Sequence, residues 1–279
     1  WGIRQIRRYT NRKNNNKMKI SVIGAGAMGG STVEGLLKCD AITAGDITVA
    51  DPCAEVLDKF AVQGVSVTTD NSAAAMDADT IMVFVKPWLV ESVLKGIKDA
   101  MDYKCQKLVV VAAGVSSEQI KAWMDKGDGQ TLTLFLVIPN IAIAQKASMT
   151  FIVPTDASES DTNTIKALFE ELGGALIVEE RLLAAGTTLA SCGIAYAMRY
   201  IRASVEGGVE LGFKAKDAEK IVLQTVKGAV ELLQATGQHP EAAIDLVTTP
   251  GGVTIKGLNE MEHAGFTSAV IRGLKAGVK

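Results

Sequence analysis

From Lys19 to about residue 178, short apolar runs alternate with stretches whose apolar residues recur every three or four positions. The runs predict strands at Lys19–Ile23, Ile47–Ala50, Ser66–Thr68, Thr80–Val85, Leu108–Val111, Thr133–Ile138, Met149–Val153 and Ala175–Val178. Helices are predicted between them at Ala27–Lys38, Ala54–Gln63, Leu89–Ala100, Ser117–Met124 and Thr162–Leu172. Strands that are apolar throughout, separated by helices, imply a mostly parallel sheet covered on both faces. Beyond residue 178 the pattern is helical only, with helices expected at Arg181–Val205, Ala215–Thr236 and Thr254–Ala276. Breaks are expected at Gly207-Gly208, Gly212 and Gly237–Pro240, with a turn at Thr249–Gly252. The expected fold class is therefore α/β, a mostly parallel sheet domain over 18–178 followed by an all-helical domain over 179–279.

Charge changes this picture at the start of the chain. Residues 1–17 carry six bases, Arg4, Arg7, Arg8, Arg12, Lys13 and Lys17, and no acid. The segment is read as a basic leader, disordered or non-native, and set apart from the fold. The remainder has 23 bases against 31 acids, a balance that argues against nucleic acid as the main partner. No apolar run approaches the ~18 residues of a membrane helix, so no membrane association is expected. Four cysteines without a C-x-x-C pair point to a reducing, cytoplasmic setting, and two histidines offer no metal site. The helices of the second domain are rich in Ala, Val, Leu and Ile all round, which predicts a partner surface and a homodimer.

The chemistry begins at Gly24-Ala25-Gly26-Ala27-Met28-Gly29, which follows a predicted strand and opens a helix. In that setting the G-x-G-x-x-G spacing is a dinucleotide fingerprint. The first glycine permits the tight turn, the second lets backbone approach a pyrophosphate, and the third lets helix and strand pack closely. Asp51 ends the second strand, where an acid accepts hydrogen bonds from the adenosine ribose and repels a 2′-phosphate. No Lys or Arg lies between Lys38 and Lys59. The cofactor reading is thus NADH or NADPH, leaning to NADH. Asn71, Val85-Lys86-Pro87 and Ala112-Ala113-Gly114 follow further strands, at the edge where open α/β sheets bind ligands.

In the helical domain, Thr249-Pro250-Gly251-Gly252-Val253-Thr254 places a tight turn before a helix. Successive backbone N–H groups there can cradle a carboxylate, and the Thr254 hydroxyl can donate or accept. A capped helix after a turn is the competing reading of the same residues.

Taken with Val22–Gly29, Val85-Lys86-Pro87, Ala112-Ala113-Gly114, Ile138-Pro139-Asn140, Gly193–Tyr196, Val247–Thr254, Gly257-Leu258 and Gly265-Phe266, residues 18–279 resemble the pyrroline-5-carboxylate reductase family. The resemblance implies a Rossmann-like NAD(P)-binding domain and a helical dimerisation and substrate-binding domain. It implies NAD(P)H-dependent hydride transfer to the cyclic imine 1-pyrroline-5-carboxylate, giving proline in the last step of its biosynthesis, without a metal. It also implies an interleaved homodimer that in some members builds a higher ring such as a decamer, with the active site between the cofactor domain of one subunit and the helical domain of its partner. By that match, Thr254 is the catalytic residue at the imine nitrogen. Thr249, Gly251, Gly252 and Thr254 hold the substrate carboxylate and ring. Gly24, Gly26, Ala27, Met28, Gly29, Asp51, Asn71, Val85, Lys86, Pro87 and Ala113 contact the cofactor. Three departures from the family pattern stand out: Ala190-Ser191-Cys192-Gly193-Ile194 in place of Ser-Gly-Ser-Gly-Pro, Ile141-Ala142 in place of Thr-Pro, and Asp51-Pro52 in place of Asn-Arg. A hydroxyacid dehydrogenase and a non-catalytic nucleotide-binding regulator remain as alternatives.

Overall fold

A computed structural model describes residues Met18–Val278; the basic leader lies outside the described residues. Eight strands form one sheet in the order β3-β2-β1-β4-β5-β6-β7-β8. They are β1 (Ile20–Ile23), β2 (Ile47–Ala50), β3 (Ser66–Thr68), β4 (Thr80–Val83), β5 (Lys107–Val110), β6 (Thr133–Ile138), β7 (Ser148–Thr155) and β8 (Gly173–Ile177). The first six run parallel, β7 is antiparallel to β6, and β8 is parallel to β7. The architecture is Rossmann-like, and the crossover from β1 to β2 on one side and to β4 on the other leaves a crevice at the carboxyl ends of β1 and β4.

Two apolar layers sandwich the sheet. On one face Val22, Val49, Met82 and Val109 pack with Val33, Leu36 and Phe60 from α1 (Ala27–Leu36) and α2 (Ala54–Ala61) and with Ile165 and Phe169 from α6 (Glu159–Glu170). On the other, Ile23, Ile81, Val83 and Leu108 pack with Leu94, Ile97 and Ile120 from α4 (Val90–Ile97) and α5 (Ser117–Met124). Alternate residues of each strand feed opposite layers, and both faces are dry, which is why the strands lack the polar alternation of a half-exposed sheet.

The structure adds a short helix, α3 (Asn71–Met76), that the sequence pattern does not reveal. Six residues, three of them successive alanines, give too little periodicity to read. Asp70 caps it, its carboxylate accepting the N–H groups of Ser72 at 2.8 Å and Ala73 at 3.2 Å. Gln106, 5% exposed, holds the other end. Its amide donates to the carbonyls of Ala75 at 2.8 Å and Ala78 at 2.6 Å, and its oxygen accepts Asp102 N–H at 2.7 Å.

Past β8 three expectations need correction. The predicted helix Arg181–Val205 is broken into a 3-10 turn at Glu180–Leu182, α7 (Leu183–Gly186), a π-helical stretch at Thr187–Cys192 and α8 (Gly193–Glu210). Tertiary ties hold the wide turn: Ser191 Oγ donates to the Pro139 carbonyl at 3.0 Å, and Asn140 Nδ2 donates to the Ala190 carbonyl at 3.4 Å. Gly186 lies so close to Phe151 that a Cβ would sit 2.8 Å from the ring. The expected break at Gly207-Gly208 is absent, and α8 runs through it. Gly208 instead lets the backbone approach Ala218, whose Cβ would be 3.0 Å from a Cβ there. The predicted helix Thr254–Ala276 is two, α11 (Val253–His263) and α12 (Phe266–Ala276), parted at Gly265 with φ +82. Between α9 (Ala215–Thr236) and α11 lies a further short helix, α10 (Pro240–Leu246).

The described chain divides into two compact units, the second beginning at Cys192. In that second unit Val205 and Ala218 alone are buried among the described residues. Ile221, Leu223, Val230 and Leu232 of α9 and Phe266, Val270 and Ile271 of α12 are all more than two-fifths exposed. No helix among the described residues is long and apolar enough to cross a membrane.

Replacing Gln106 by Leu strips buried carbonyls of α3 of their donor. The expected outcome is a loss of about 2 kcal/mol or more in stability, read as a lowered midpoint in thermal unfolding followed by far-UV circular dichroism.

Candidate active site

The sheet register collects one set of predicted residues. Ile23 of β1 pairs with Ala50 of β2 and Val83 of β4, Ala50 pairs with Thr68, and Val83 pairs with Val110. Gly24, Asp51, Asn71, Val85 and Ala113 each follow one of these strand ends, so all lie along the carboxyl edge of the sheet.

The glycines there have separate jobs. Gly24 has φ +96, and a Cβ on it would stand 2.6 Å from the Phe84 carbonyl oxygen. A Cβ on Gly29 would overlap the carbonyl oxygen of Gly24. Both positions therefore exclude a side chain on grounds of the protein's own packing. Gly26 differs: nothing lies within 4 Å of its Cβ position. It is the N-cap of α1 and offers no side-chain cap, so the first N–H groups of that helix are left for another acceptor. An open face above Gly26 at an uncapped, positively polarised helix end fits a pyrophosphate. Ala27 is exposed and Met28 half-buried against the core beneath.

Asp51 is half-buried, and both its oxygens accept backbone N–H groups, Oδ2 from Ala25 at 2.8 Å and Oδ1 from Cys53 at 2.9 Å. Lys59, the first base after it, pairs with Glu34 at 3.5 Å. Asn71 opens α3, with the cap supplied by Asp70. Lys86 and Pro87 are exposed, and Val85 is half-buried against the second core layer. Gly114, with φ +82, turns the chain after Ala113.

The second set lies in the helical unit. Gly252 N–H donates to the Thr249 carbonyl at 2.9 Å, closing a turn with Pro250 second and Gly251, φ +72, third. That is the type II pattern, which needs a glycine at its third place. A Cβ on Gly252 would stand 2.5 Å from Thr249 Oγ1. Gly252 is the N-cap of α11 without a side-chain cap, and Thr254 is exposed in the first turn. The arrangement presents free N–H groups and one hydroxyl at a helix N-terminus.

Sequence reasoning missed Phe84, whose carbonyl is the floor under Gly24, and the two-armed role of Asp51. It also missed Asn140, 7% exposed, which caps the 3-10 turn Ile141–Gln145 and steadies the π-helical stretch. The family resemblance included Ile138-Pro139-Asn140 but gave Asn140 no such role.

Two family models match. One, described as pyrroline-5-carboxylate reductase dimerisation, covers residues 180–279. The other, described as NADP oxidoreductase coenzyme F420-dependent, covers residues 19–114. The pyrroline-5-carboxylate reductase of Methanosarcina acetivorans is 34% identical over 91% of this chain and 94% of its own length. The chain belongs to the pyrroline-5-carboxylate reductase family. It is also 34% identical to pyrroline-5-carboxylate reductase 1 of Dictyostelium discoideum, though it spans about half, 48%, of that protein. Among solved structures of the family, the Coxiella burnetii reductase aligns with a TM-score of 0.84 at 26% identity, covering 94% of this chain and 97% of that one. The Plasmodium falciparum reductase, solved with NADP bound, has a TM-score of 0.84 at 22% identity, covering 94% and 95%. A Mycobacterium tuberculosis 3-hydroxyisobutyrate dehydrogenase reaches only 0.51 at 15% identity, covering 80% and 72%, a likeness of fold alone.

The glycine geometry separates fold from binding. Gly29→Ala is expected to cost several kcal/mol of stability, on the scale of ~1–3 kcal/mol for overpacking and more where backbone must move. Gly26→Ala is expected to melt within about 0.5–1 kcal/mol of the parent yet to lose dinucleotide affinity, measured by calorimetric titration.

Proposed function

We infer that this protein reduces 1-pyrroline-5-carboxylate to proline with a reduced nicotinamide dinucleotide. The observation that carries this reading is the pairing, in one chain of this family, of the uncapped glycine turn at Gly26 with the uncapped Gly252–Thr254 helix start. The first suits a pyrophosphate and the second a carboxylate beside a hydroxyl.

Gly24, Gly26 and Gly29 would hold the pyrophosphate, with Ala27 and Met28 in the first helical turn. Asp51 would stand at the adenosine ribose, and Asn71, Val85, Lys86, Pro87 and Ala113 would line the remainder. The bound dinucleotide supplies hydride to the imine carbon. The Thr249–Gly252 turn and the N–H groups opening α11 grip the substrate carboxylate, and the Thr254 hydroxyl holds the ring nitrogen. Hydride and one proton added across C=N would give CH–NH and the oxidised dinucleotide. A protonated imine is already electrophilic, so orientation and charge placement suffice.

NADH is proposed as the preferred donor. The Asp51 carboxylate faces any 2′-phosphate with like charge, and Lys59, the first base beyond it, is engaged with Glu34. The proposed assembly is a homodimer joined through the apolar α9 and α12 faces, with a decamer as its proposed higher form, and the unpaired cysteines suit the cytoplasm.

The test is consumption of reduced dinucleotide on addition of pyrroline-5-carboxylate, with proline counted as product. One proline per dinucleotide consumed is expected, with a higher kcat/KM for NADH than for NADPH. A folded protein that binds the dinucleotide but makes no proline overturns the reading. Thr254→Ala is expected to lower kcat by about 30- to 1,000-fold, the range for a lost transition-state hydrogen bond of ~2–4 kcal/mol, while Kd for NADH stays unchanged. Near-normal turnover of that variant removes Thr254 from the chemistry.

A further inference from the structure

The Asp51 carboxylate joins two turns that diverge from neighbouring strands. Oδ1 accepts Cys53 N–H two residues on, a local turn that fixes the orientation of the carboxylate. Oδ2 then meets Ala25 N–H at 2.8 Å, across 26 residues of chain. Ala25 is 2% exposed, so its N–H has no route to water and depends on this acceptor. Directly before it, Gly24 N–H donates to the Ala50 carbonyl at 2.8 Å, and Asp51 N–H donates to the Thr68 carbonyl at 3.2 Å. The carboxylate thus extends the strand pairing of β1, β2 and β3 by one step, into the glycine turn.

We propose that Asp51 is a positioning residue for the glycine-rich turn, holding Ala25 and therefore Gly24 and Gly26 in the dinucleotide-binding conformation whether or not it touches the ribose. The proposal rests on the reading of this turn as a dinucleotide site. In this chain a carboxylate fills both positions. Both its oxygens accept, whereas an Asn of the same shape would turn an NH2 group against one of the two N–H donors. A turn held ready before binding spares the ligand the cost of ordering it. Loss of the clamp should therefore weaken every dinucleotide, including one with no hydroxyl for Asp51 to recognise.

The experiment is a double-mutant cycle between protein and ligand. Calorimetric Kd values are measured for the parent and D51N with NADH and with an NADH analogue lacking both hydroxyls of the adenosine ribose. The expected result is a loss of about tenfold or more for D51N with the analogue as well as with NADH, with KM for pyrroline-5-carboxylate at saturating NADH changed by less than about twofold. A loss that disappears with the analogue means that Asp51 acts through the ribose, and overturns the proposal. So does unchanged binding by D51N, and so does an equal rise in the imine KM, which marks a general structural defect. If D51N does not fold, D51S replaces it, its short hydroxyl unable to bridge both donors, and the same comparison applies. A parent protein that binds neither ligand defeats the dinucleotide reading itself.

Discussion

The site depends on how closely the turn after β1 approaches β4. Gly24 sits on the Phe84 carbonyl, and Gly29 sits on the carbonyl of Gly24. Neither contact tolerates a side chain, and each sets the height at which α1 leaves the sheet. From that height follow the uncapped helix start at Gly26, the reach of Ala25 N–H to Asp51, and the packing of Val33 and Leu36 onto the sheet. The parallel sheet supplies the frame, because in-register strands end together and present their following loops along one edge.

The helical unit obeys a different constraint. Its helices bury little of themselves, and apolar residues such as Ile221, Leu223, Phe266 and Ile271 stay exposed within the single chain. A surface of that kind needs a partner to be stable in water. This agrees with the match of residues 180–279 to a dimerisation family. The proposed substrate turn is built in this same unit, from local backbone geometry: Pro250 and Gly251 shape the turn, and Gly252 starts the helix without a cap.

Much of the architecture was legible in the sequence where the physics is local. Strands that end at a glycine, proline or acid, and the G-x-G-x-x-G turn after the first of them, follow from periodicity and φ preferences. The readings failed where tertiary contacts overrule local signals. Gly207 and Gly208 read as a break, but α8 carries on because Gly208 makes room for Ala218. Leu183–Tyr196 read as plain helix, but the Pro139 carbonyl takes the Ser191 hydroxyl, Asn140 takes the Ala190 carbonyl, and a π turn opens between them. Gly265 broke a helix that its apolar spacing alone would have continued. For the site, residue types and spacing identified Asp51 as an acid near a ribose. Its bond to Ala25 was invisible, because only the folded sheet brings the ends of β1 and β2 together. The role of Thr254 came from family resemblance, since a threonine after a Gly-Gly turn is equally a plain helix start.

The central proposal is that a dinucleotide at the glycine turn would give hydride to an imine carbon held by the Thr254 segment. Turnover with NADH carrying deuterium at nicotinamide C4, followed by mass spectrometry of the proline, tests it most directly. Deuterium on the ring carbon beside nitrogen that does not bear the carboxylate, delivered from one face of the nicotinamide only, is the result this account predicts. Proline without deuterium, or deuterium lost to water, would contradict it.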